Sequence, residues 1–249
     1  MKTTVPASRH SAQRPRVATV IMKRELGAYF SGPIAYIVTG LFLILSGILF
    51  FSVFFLQDRA ELRRFFDNLP ILLSFFIPAL TMRLFSEEKR SGTIETLMTL
   101  PVTELDVVWG KFAAAWISAV AMLVPTLSYV VTVALFGSPD PGPIVGGYLG
   151  VLFLCAAFSA IGLFASSVTK NQIIAFFIAF GISIVVSTMD VFLIFLPGSI
   201  VDFLAYFSAS AHFGSIARGI IDTRDLLYFV SVTLLFLVLT VEVEQRERR

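Results

Sequence analysis

Long stretches without a charged residue dominate this 249-residue sequence. The first of them, residues 34–56, contains 23 consecutive uncharged residues. A bilayer core about 30 Å thick takes roughly 20 helical residues per crossing, so this run is long enough to span a membrane. Charged residues make up only 14% of the chain, whereas soluble domains carry about 25%. The sequence therefore predicts an integral membrane protein with at most about eight spans, which leaves no room for a large soluble catalytic domain.

Six runs are long enough, alone or with adjacent interfacial residues, to cross the membrane, and they define a permease-sized domain over residues 34–244. The spans are expected at residues 34–56, 65–82, 107–137, 142–168, 171–190 and 226–243. The second run is the weakest because it contains Pro70 and Pro78. A proline-rich turn at residues 137–143 separates the third span from the fourth, and Pro125 predicts a fixed kink within the third. The expected fold class is an all-α integral membrane protein with six transmembrane helices.

The distribution of basic residues orients these spans. An even number of spans places both termini on one side, and 14 of the 19 Lys and Arg residues fall on that side, against five on the other. The positive-inside rule therefore predicts that both termini are cytoplasmic and that the chain lies in the inner, or cytoplasmic, membrane. Residues 1–15 are expected to form a disordered tail, residues 16–33 an amphipathic interfacial helix, and residues 245–249 a short cytoplasmic tail.

The cytoplasmic loop after the second span has a pattern that suits a docking element. The charged residues 87–90 are expected to be solvated, and Gly92 then allows a bend. Residues 93–100 are long enough for about two helical turns, which Pro101 would end. A plain surface connector remains the alternative interpretation of this segment.

One face of that short helix is expected to be apolar. Ile94, Leu97 and Met98 fall on the same side by helical spacing. Downstream, Thr103 and Asp106 match a capping box for the next helix, with Asp in place of the usual Glu or Gln. A short helix with an apolar face and flanking charges suits a groove on another protein.

Residues 87–102 resemble the cytoplasmic signature of type-2 ABC-transporter permeases, the six-span export family. Residues 212–229 are similar to the segment before the final span in the branch that includes gliding-motility and copper-enzyme-maturation permeases. The resemblance covers residues 17–244. It implies a coupling helix within residues 86–101, held in a cleft of an ATPase subunit. It also implies that the N-terminal amphipathic helix is an elbow helix, and that residues 191–225 form an extracytoplasmic gate with short half-inserted helices.

The resemblance further implies a set of partners and sites. The expected partners are an ABC ATPase subunit that binds ATP and Mg, a second permease chain in a homodimer, an extracytoplasmic accessory protein and the lipid bilayer, without nucleic acid. The expected ATPase-coupling residues are Glu87, Glu88, Gly92, Thr93, Ile94, Glu95, Thr96, Leu97, Met98 and Pro101. The candidate gate or cargo contacts are Asp190, Asp202 and His212, with an ordinary extracellular loop as the alternative to a gate.

Catalytic chemistry has no clear basis in this chain. The phosphate-binding pattern G-x-x-x-x-G-K-[ST] does not occur in the sequence, so ATP hydrolysis is assigned to a separate subunit. No metal site is expected, because the two histidines are not spaced as metal ligands.

Three alternative functions remain open. In the first, the permease transmits force to an outer partner without passing cargo. In the second, the chain is a membrane scaffold that anchors a soluble partner. A rhomboid-like protease is the least favoured, since the Gly-x-Ser-Gly pattern of its nucleophile is absent.

Overall fold

A computed structural model describes residues 14–57, 62–93, 103–137, 140–192, 207–220 and 222–247. Within those residues the chain forms ten α-helices and one 3₁₀ turn, and no strand. The helices are α1 (Arg14–Ser31), α2 (Pro33–Gln57), α3 (Arg63–Thr81), α4 (Ser86–Ser91), α5 (Glu104–Leu123), α6 (Leu127–Phe136), α7 (Pro141–Val168), α8 (Gln172–Phe192), α9 (Ala209–Ala217) and α10 (Thr223–Glu247).

Six helical segments of the described chain are long and apolar enough to cross a membrane. They are α2, α3 continued into α4, α5 continued into α6, α7, α8 and α10. The predicted all-α membrane fold with six spans is confirmed. Most of the disordered tail expected at the N-terminus lies outside the described residues.

The fourth span, α7, is the central helix of the bundle. It packs against α3, α5, α8, α9 and α10, and it is the most buried of the spanning helices. Glycines on its surface allow this close approach. A Cβ atom added to Gly162 would lie 1.9 Å from Oγ1 of Thr81 on α3, and one added to Gly146 would lie 2.3 Å from the carbonyl oxygen of Ile216 on α9. These small residues therefore bring helices of the same chain together.

The third span is interrupted at its proline. The 3₁₀ turn Val124–Thr126 contains Pro125 and separates α5 from α6. Proline lacks the N–H that would continue the α-helical hydrogen bonds, which accounts for the interruption. The interruption lies at the proline where a fixed kink was expected, and the kink itself stays a prediction. The hydroxyl of Thr126 donates to the carbonyl oxygen of Leu123 at 2.6 Å and so satisfies one of the backbone groups at the break.

The N-terminal helix α1 lies against α5. Its residue Ile21 is buried, and a Cβ atom added to Gly110 of α5 would lie 2.9 Å from the Ile21 side chain. This contact places α1 beside the end of the bundle that also holds α4 and the last turn of α10. Its assignment as an elbow helix in the membrane interface stays a prediction.

At the opposite end of the bundle, α9 packs against α3, α7, α8 and α10. Its side chains Phe213 and Ile216 are buried in the main apolar core. Residues 193–206, which belong to the expected gate segment, lie outside the described residues. The gate itself and its half-inserted helices stay predictions.

Candidate functional site

The short helix α4 is the described part of the expected coupling segment. Of the predicted coupling residues, Glu87, Glu88, Gly92 and Thr93 are described. The remaining six lie outside the described residues, and they are Ile94, Glu95, Thr96, Leu97, Met98 and Pro101. The site is therefore built from the helix that leads into this segment and from the side chains around it.

The start of α4 is held by α7. The hydroxyl of Ser166 accepts hydrogen bonds from the backbone N–H groups of Phe85 (2.9 Å) and Ser86 (3.0 Å), and it donates to the carbonyl oxygen of Met82 (3.0 Å). These N–H groups belong to the first turn of a helix, where no intrahelical partner exists. One buried serine on the fourth span thus fixes where α4 begins.

The end of α4 is set by glycine. Gly92 has a φ of +72°, in the left-handed region, and forms the C-cap of the helix. Glycine adopts this conformation without the steric cost of a Cβ atom, so the chain can turn sharply into the segment that follows. Gly92 and Thr93 are both exposed.

Four charged side chains from three helices meet beside α4, and we call them the four-charge cluster: Arg24, Glu25, Glu88 and Lys111. The Nζ atom of Lys111 lies 3.1 Å from Glu25 and 3.0 Å from Glu88, and Nη2 of Arg24 lies 2.6 Å and 2.7 Å from the same two carboxylates. The Lys111 side chain is 0% exposed, and it also donates to the carbonyl oxygen of Leu84 at 2.6 Å. The two cations neutralise the two carboxylates, and buried charges are tolerated only when they are paired in this way.

A second group, which we call the Lys89 cluster, joins α4 to the last helix. Its members are Lys89, Glu244 and Glu247. The Nζ atom of Lys89 lies 2.9 Å from Glu244 and 2.7 Å from Glu247, and it also donates to the carbonyl oxygen of Ser167 at the end of α7. The side chains of Lys89 and Glu244 are only 2% and 3% exposed. These contacts lie at the point where α10 continues past the expected boundary at residue 243.

The electrostatics of the four-charge cluster favour the ionised form of Glu25. Burial by itself would raise the pKa of Glu25, but the charge of Lys111 and the hydrogen bonds from Arg24 and Lys111 outweigh it. The pKa of Glu25 therefore lies below its ordinary value. The carboxylate stays charged at neutral pH and holds α1 against α5 and α4.

The expectation that residues 87–90 are solvated is wrong for two of the four. Glu87 and Arg90 are exposed, whereas Glu88 and Lys89 are paired inside the two clusters. A helix that lies against its neighbours exposes one side only, and the i, i+1 positions 88 and 89 face different neighbouring helices.

Three residues of these clusters were not predicted from the sequence as functional candidates, and they are Glu25, Lys111 and Glu244. Each is a charged residue within or beside an apolar run. Burying such a charge costs free energy unless it is paired, so its position in the sequence could have indicated a buried ion pair.

The other end of the coupling segment is capped as predicted. The Thr103 side chain accepts a hydrogen bond from the N–H of Asp106 at 3.3 Å, and the Asp106 carboxylate accepts one from the N–H of Thr103 at 3.4 Å. This reciprocal pair is a complete capping box at the start of α5. The predicted docking segment is thus attached to a glycine cap at one end and to a capping box at the other.

The outer candidate residues are only partly described. Asp202 lies outside the described residues, and Asp190 falls in the last turn of α8, where its side chain is not described. His212 is on α9, where its Nδ1 atom lies 2.6 Å from Oδ1 of Asp225 and its ring stacks on Tyr228 with a centroid distance of 4.3 Å. The hydroxyl of Tyr228 donates to the carbonyl oxygen of Phe207 at 2.7 Å. These contacts join α9 to the first turn of α10.

Among the described residues no group of three or more His, Cys, Asp or Glu side chains is arranged to hold a metal ion. The described part of the site at α4 therefore consists of paired charges and helix caps, an arrangement that fixes the position of α4. None of its described side chains is a nucleophile placed beside a base.

Comparison with known families gives a match over most of the chain. A family model described as ABC-2 family transporter protein matches residues 34–242, which is most of the chain. No curated protein matches the chain at a significant level. The family match does not distinguish the gliding-motility and copper-enzyme-maturation branch from others, so that assignment stays a prediction. The chain belongs to the ABC-2 transporter family and is a membrane permease of the type-2 ABC class.

Proposed function

We propose that this permease pairs with a second copy of itself and with two separate ATPase subunits, which drive export or mechanical transmission across the cytoplasmic membrane. Membership of the ABC-2 family supports an ATPase partner. The position of α4 supports coupling at this part of the chain, because α4 leads directly into the segment that resembles the coupling helix. ATP and Mg bind to the ATPase subunit in this proposal.

The observation that carries the proposal is the convergence of helices on α4. The four-charge cluster ties α4 to α1 and α5, and the Lys89 cluster ties it to α7 and α10. Breaking a buried ion pair by moving one partner away costs about 3–5 kcal/mol, so these helices resist separation from α4. A displacement of the segment after Gly92 is therefore passed to α4, and from there to α1 and to the third, fourth and last spans.

The same arrangement supports an orientation for the chain. The second half of α1, helix α4 and the end of α10 meet at one end of the bundle. By the count of spans, 14 of the 19 Lys and Arg residues belong to that side. The positive-inside rule makes it the cytoplasmic end, where ATP is available to an ATPase subunit.

Substitution of Leu97 by aspartate tests the coupling site. Leu97 is expected to lie on the apolar face of the coupling helix, and a carboxylate there would be buried unpaired in the ATPase cleft. We expect Leu97→Asp to insert into the membrane normally, while ATP hydrolysis by the reconstituted complex falls to the rate of the ATPase alone. The matched control is Ile220→Asp, which places the same charge on an exposed residue at the opposite end of the bundle.

The outcomes separate a permease from a scaffold. Unchanged stimulation in Leu97→Asp, in a complex that still contains the ATPase, would contradict coupling through this segment. Copurification of the unmodified chain gives an independent measurement, since a permease brings down an ATPase with a phosphate-binding loop in equal amount. A membrane scaffold would instead bring down a soluble partner without that loop.

A further inference from the structure

An apolar groove opens between α5, α7 and α10. It has a volume of about 450 Å³, within the range of about 300–1,000 Å³ typical of small-molecule sites. Its walls include Trp109 and Trp116 from α5, Leu152 and Ala156 from α7, and Leu234 from α10. These helices belong to three different spans, so the groove lies along the membrane-embedded side of the bundle.

Two of the three polar side chains that line the groove are already hydrogen bonded within the chain. The indole N–H of Trp116 donates to the carbonyl oxygen of Leu152 at 2.9 Å, and the hydroxyl of Thr233 donates to the carbonyl oxygen of Phe229 at 2.8 Å. The third is the indole N–H of Trp109 at the rim, where the residue is 47% exposed. The remaining lining side chains are aromatic or aliphatic, so below that rim an occupant is held by apolar contact.

The depth of the groove also limits its occupant. Trp116 is 12 residues after the first residue of α5, which is about 18 Å along the helix axis and therefore near the middle of a hydrocarbon core about 30 Å thick. Trp109 lies about 8 Å from the same end of the helix, at the level where tryptophan is common in membrane proteins. The groove thus runs from the interface on the side of the four-charge cluster toward the bilayer centre.

The groove is too narrow to admit the backbone of a transmembrane helix. Trp109 and Trp116 span about 10 Å of helix, so 450 Å³ corresponds to a mean cross-section of about 40 Å². A helix about 10 Å across occupies about 80 Å². A flexible hydrocarbon chain fits a slot of this width, whereas a helix from a second copy would cover it without filling it.

From the lining, the depth and the width we infer that this groove binds a hydrocarbon tail of a bilayer phospholipid from the leaflet on the side of the four-charge cluster. The site is separate from the coupling segment and does not rest on the proposed function. It would hold a lipid whether or not an ATPase subunit is bound.

The chain carries its own reporters for this site, because its two tryptophans both line the groove. In the variant Trp109→Phe, all tryptophan emission comes from Trp116. We would reconstitute the full-length variant into phosphatidylcholine vesicles whose acyl chains are brominated at mid-chain, and into unbrominated vesicles of the same lipid. Bromine quenches indole emission on contact, so a tail in the groove should quench Trp116 strongly.

Two further variants fill the groove from opposite walls. Ala156 is one helical turn after Leu152, whose carbonyl holds the Trp116 indole, so Ala156→Phe places a ring beside the reporter. Leu234→Phe does the same from α10. In each we expect quenching of Trp116 to fall roughly twofold or more, because a close-packed groove cannot hold both a ring and a tail. Val185→Phe, on an exposed face of α8 outside the groove, is the matched control and should leave quenching unchanged.

Two results would overturn the inference. Equal quenching in the parent and in both groove-filling variants would show that Trp116 meets bulk lipid without a tail in the groove. Absence of quenching in the parent would show that protein covers the groove, and a cross-link between two copies at Leu234→Cys would identify a second permease chain as the cover. A cooperative melting transition in detergent, as in the parent, verifies that each variant is folded.

Discussion

At the scale of single residues, the buried lysines Lys89 and Lys111 distinguish this chain from a simple bundle of apolar helices. Each ammonium group is almost fully excluded from solvent and is surrounded by carboxylates and a backbone carbonyl. Such groups rarely add net stability compared with apolar residues, but they specify which helices meet. Lys111 selects Glu25 and Glu88, while Lys89 selects Glu244.

Substitution of Lys111 by methionine tests the four-charge cluster. Methionine preserves most of the volume of the side chain but leaves Glu25 and Glu88 facing each other without the lysine. We expect a loss of about 3–5 kcal/mol in the free energy of unfolding, measured by thermal or denaturant unfolding in detergent. Adding Glu88→Gln to Lys111→Met should recover part of this loss, so that the double-mutant cycle is non-additive. Simple additivity would show that the two side chains do not interact.

Acidification should weaken the same cluster in a defined direction. The folded-state pKa of Glu25 lies below its ordinary value, so Glu25 contributes stability above that ordinary value, about 4.3 for glutamate. This contribution is lost as the pH falls from there through the lowered pKa. We expect the difference in melting temperature between the parent and Glu25→Gln to be constant near neutral pH and to shrink below about pH 4.3. A difference that grows on acidification would contradict the lowered pKa.

At the scale of helices, α7 organises the bundle because its small residues let neighbouring helices approach. Gly162 faces Thr81 of α3 so closely that no side chain fits between them. Gly181 of α8, by contrast, has open space where a Cβ atom would lie. The two positions therefore separate the packing role of glycine from its weak helix propensity.

A pair of matched substitutions tests this packing. We expect Gly162→Ala to destabilise the protein by about 1–3 kcal/mol, the usual cost of overpacking a well-packed site. Gly181→Ala should be neutral or stabilising by up to about 1 kcal/mol, since alanine is the better helix former. Melting temperatures of both variants in the same detergent provide the comparison. Equal effects at the two positions would indicate that α3 and α7 are not in close contact.

At the scale of the whole molecule, the two ends of the bundle differ in character. One end carries the paired charges around α4, and the other carries α9 with the contact between His212 and Asp225. The positive-inside rule predicts that the first end is cytoplasmic. In the proposed function, the coupling segment and the gate are therefore expected on opposite sides of the membrane.

Cysteine labelling tests this orientation. The single native cysteine, Cys155, is fully buried and should give little background. We expect a membrane-impermeant maleimide added to intact cells or spheroplasts to label Ile220→Cys, and to label Ser91→Cys only after the membrane is permeabilised. Both positions are exposed in the chain itself. Labelling of Ser91→Cys from outside, with Ile220→Cys protected, would reverse the assigned orientation.

The apolar runs were sufficient to predict the six spans, and the capping box at Thr103 and the interruption at Pro125 were predicted from local sequence. These features depend on residues close together in the chain, because helix length, proline breaks and caps are local properties. The predicted solvation of residues 87–90 failed for the opposite reason. Whether Glu88 or Lys89 is exposed depends on helices far away in the sequence.

The sequence by itself determined that this chain is a six-span membrane protein of the ABC-2 class. The long apolar runs exclude a soluble fold, and the family match extends over residues 34–242. Only the tertiary structure decided which charges pair and where a groove opens. Lys111 finds Glu25 across 86 positions of the chain, and three separate spans form the walls of the groove. The reason is physical: a buried charge is stabilised by whatever partner the fold brings within about 4 Å, and a cavity exists only between surfaces that packing has already brought together.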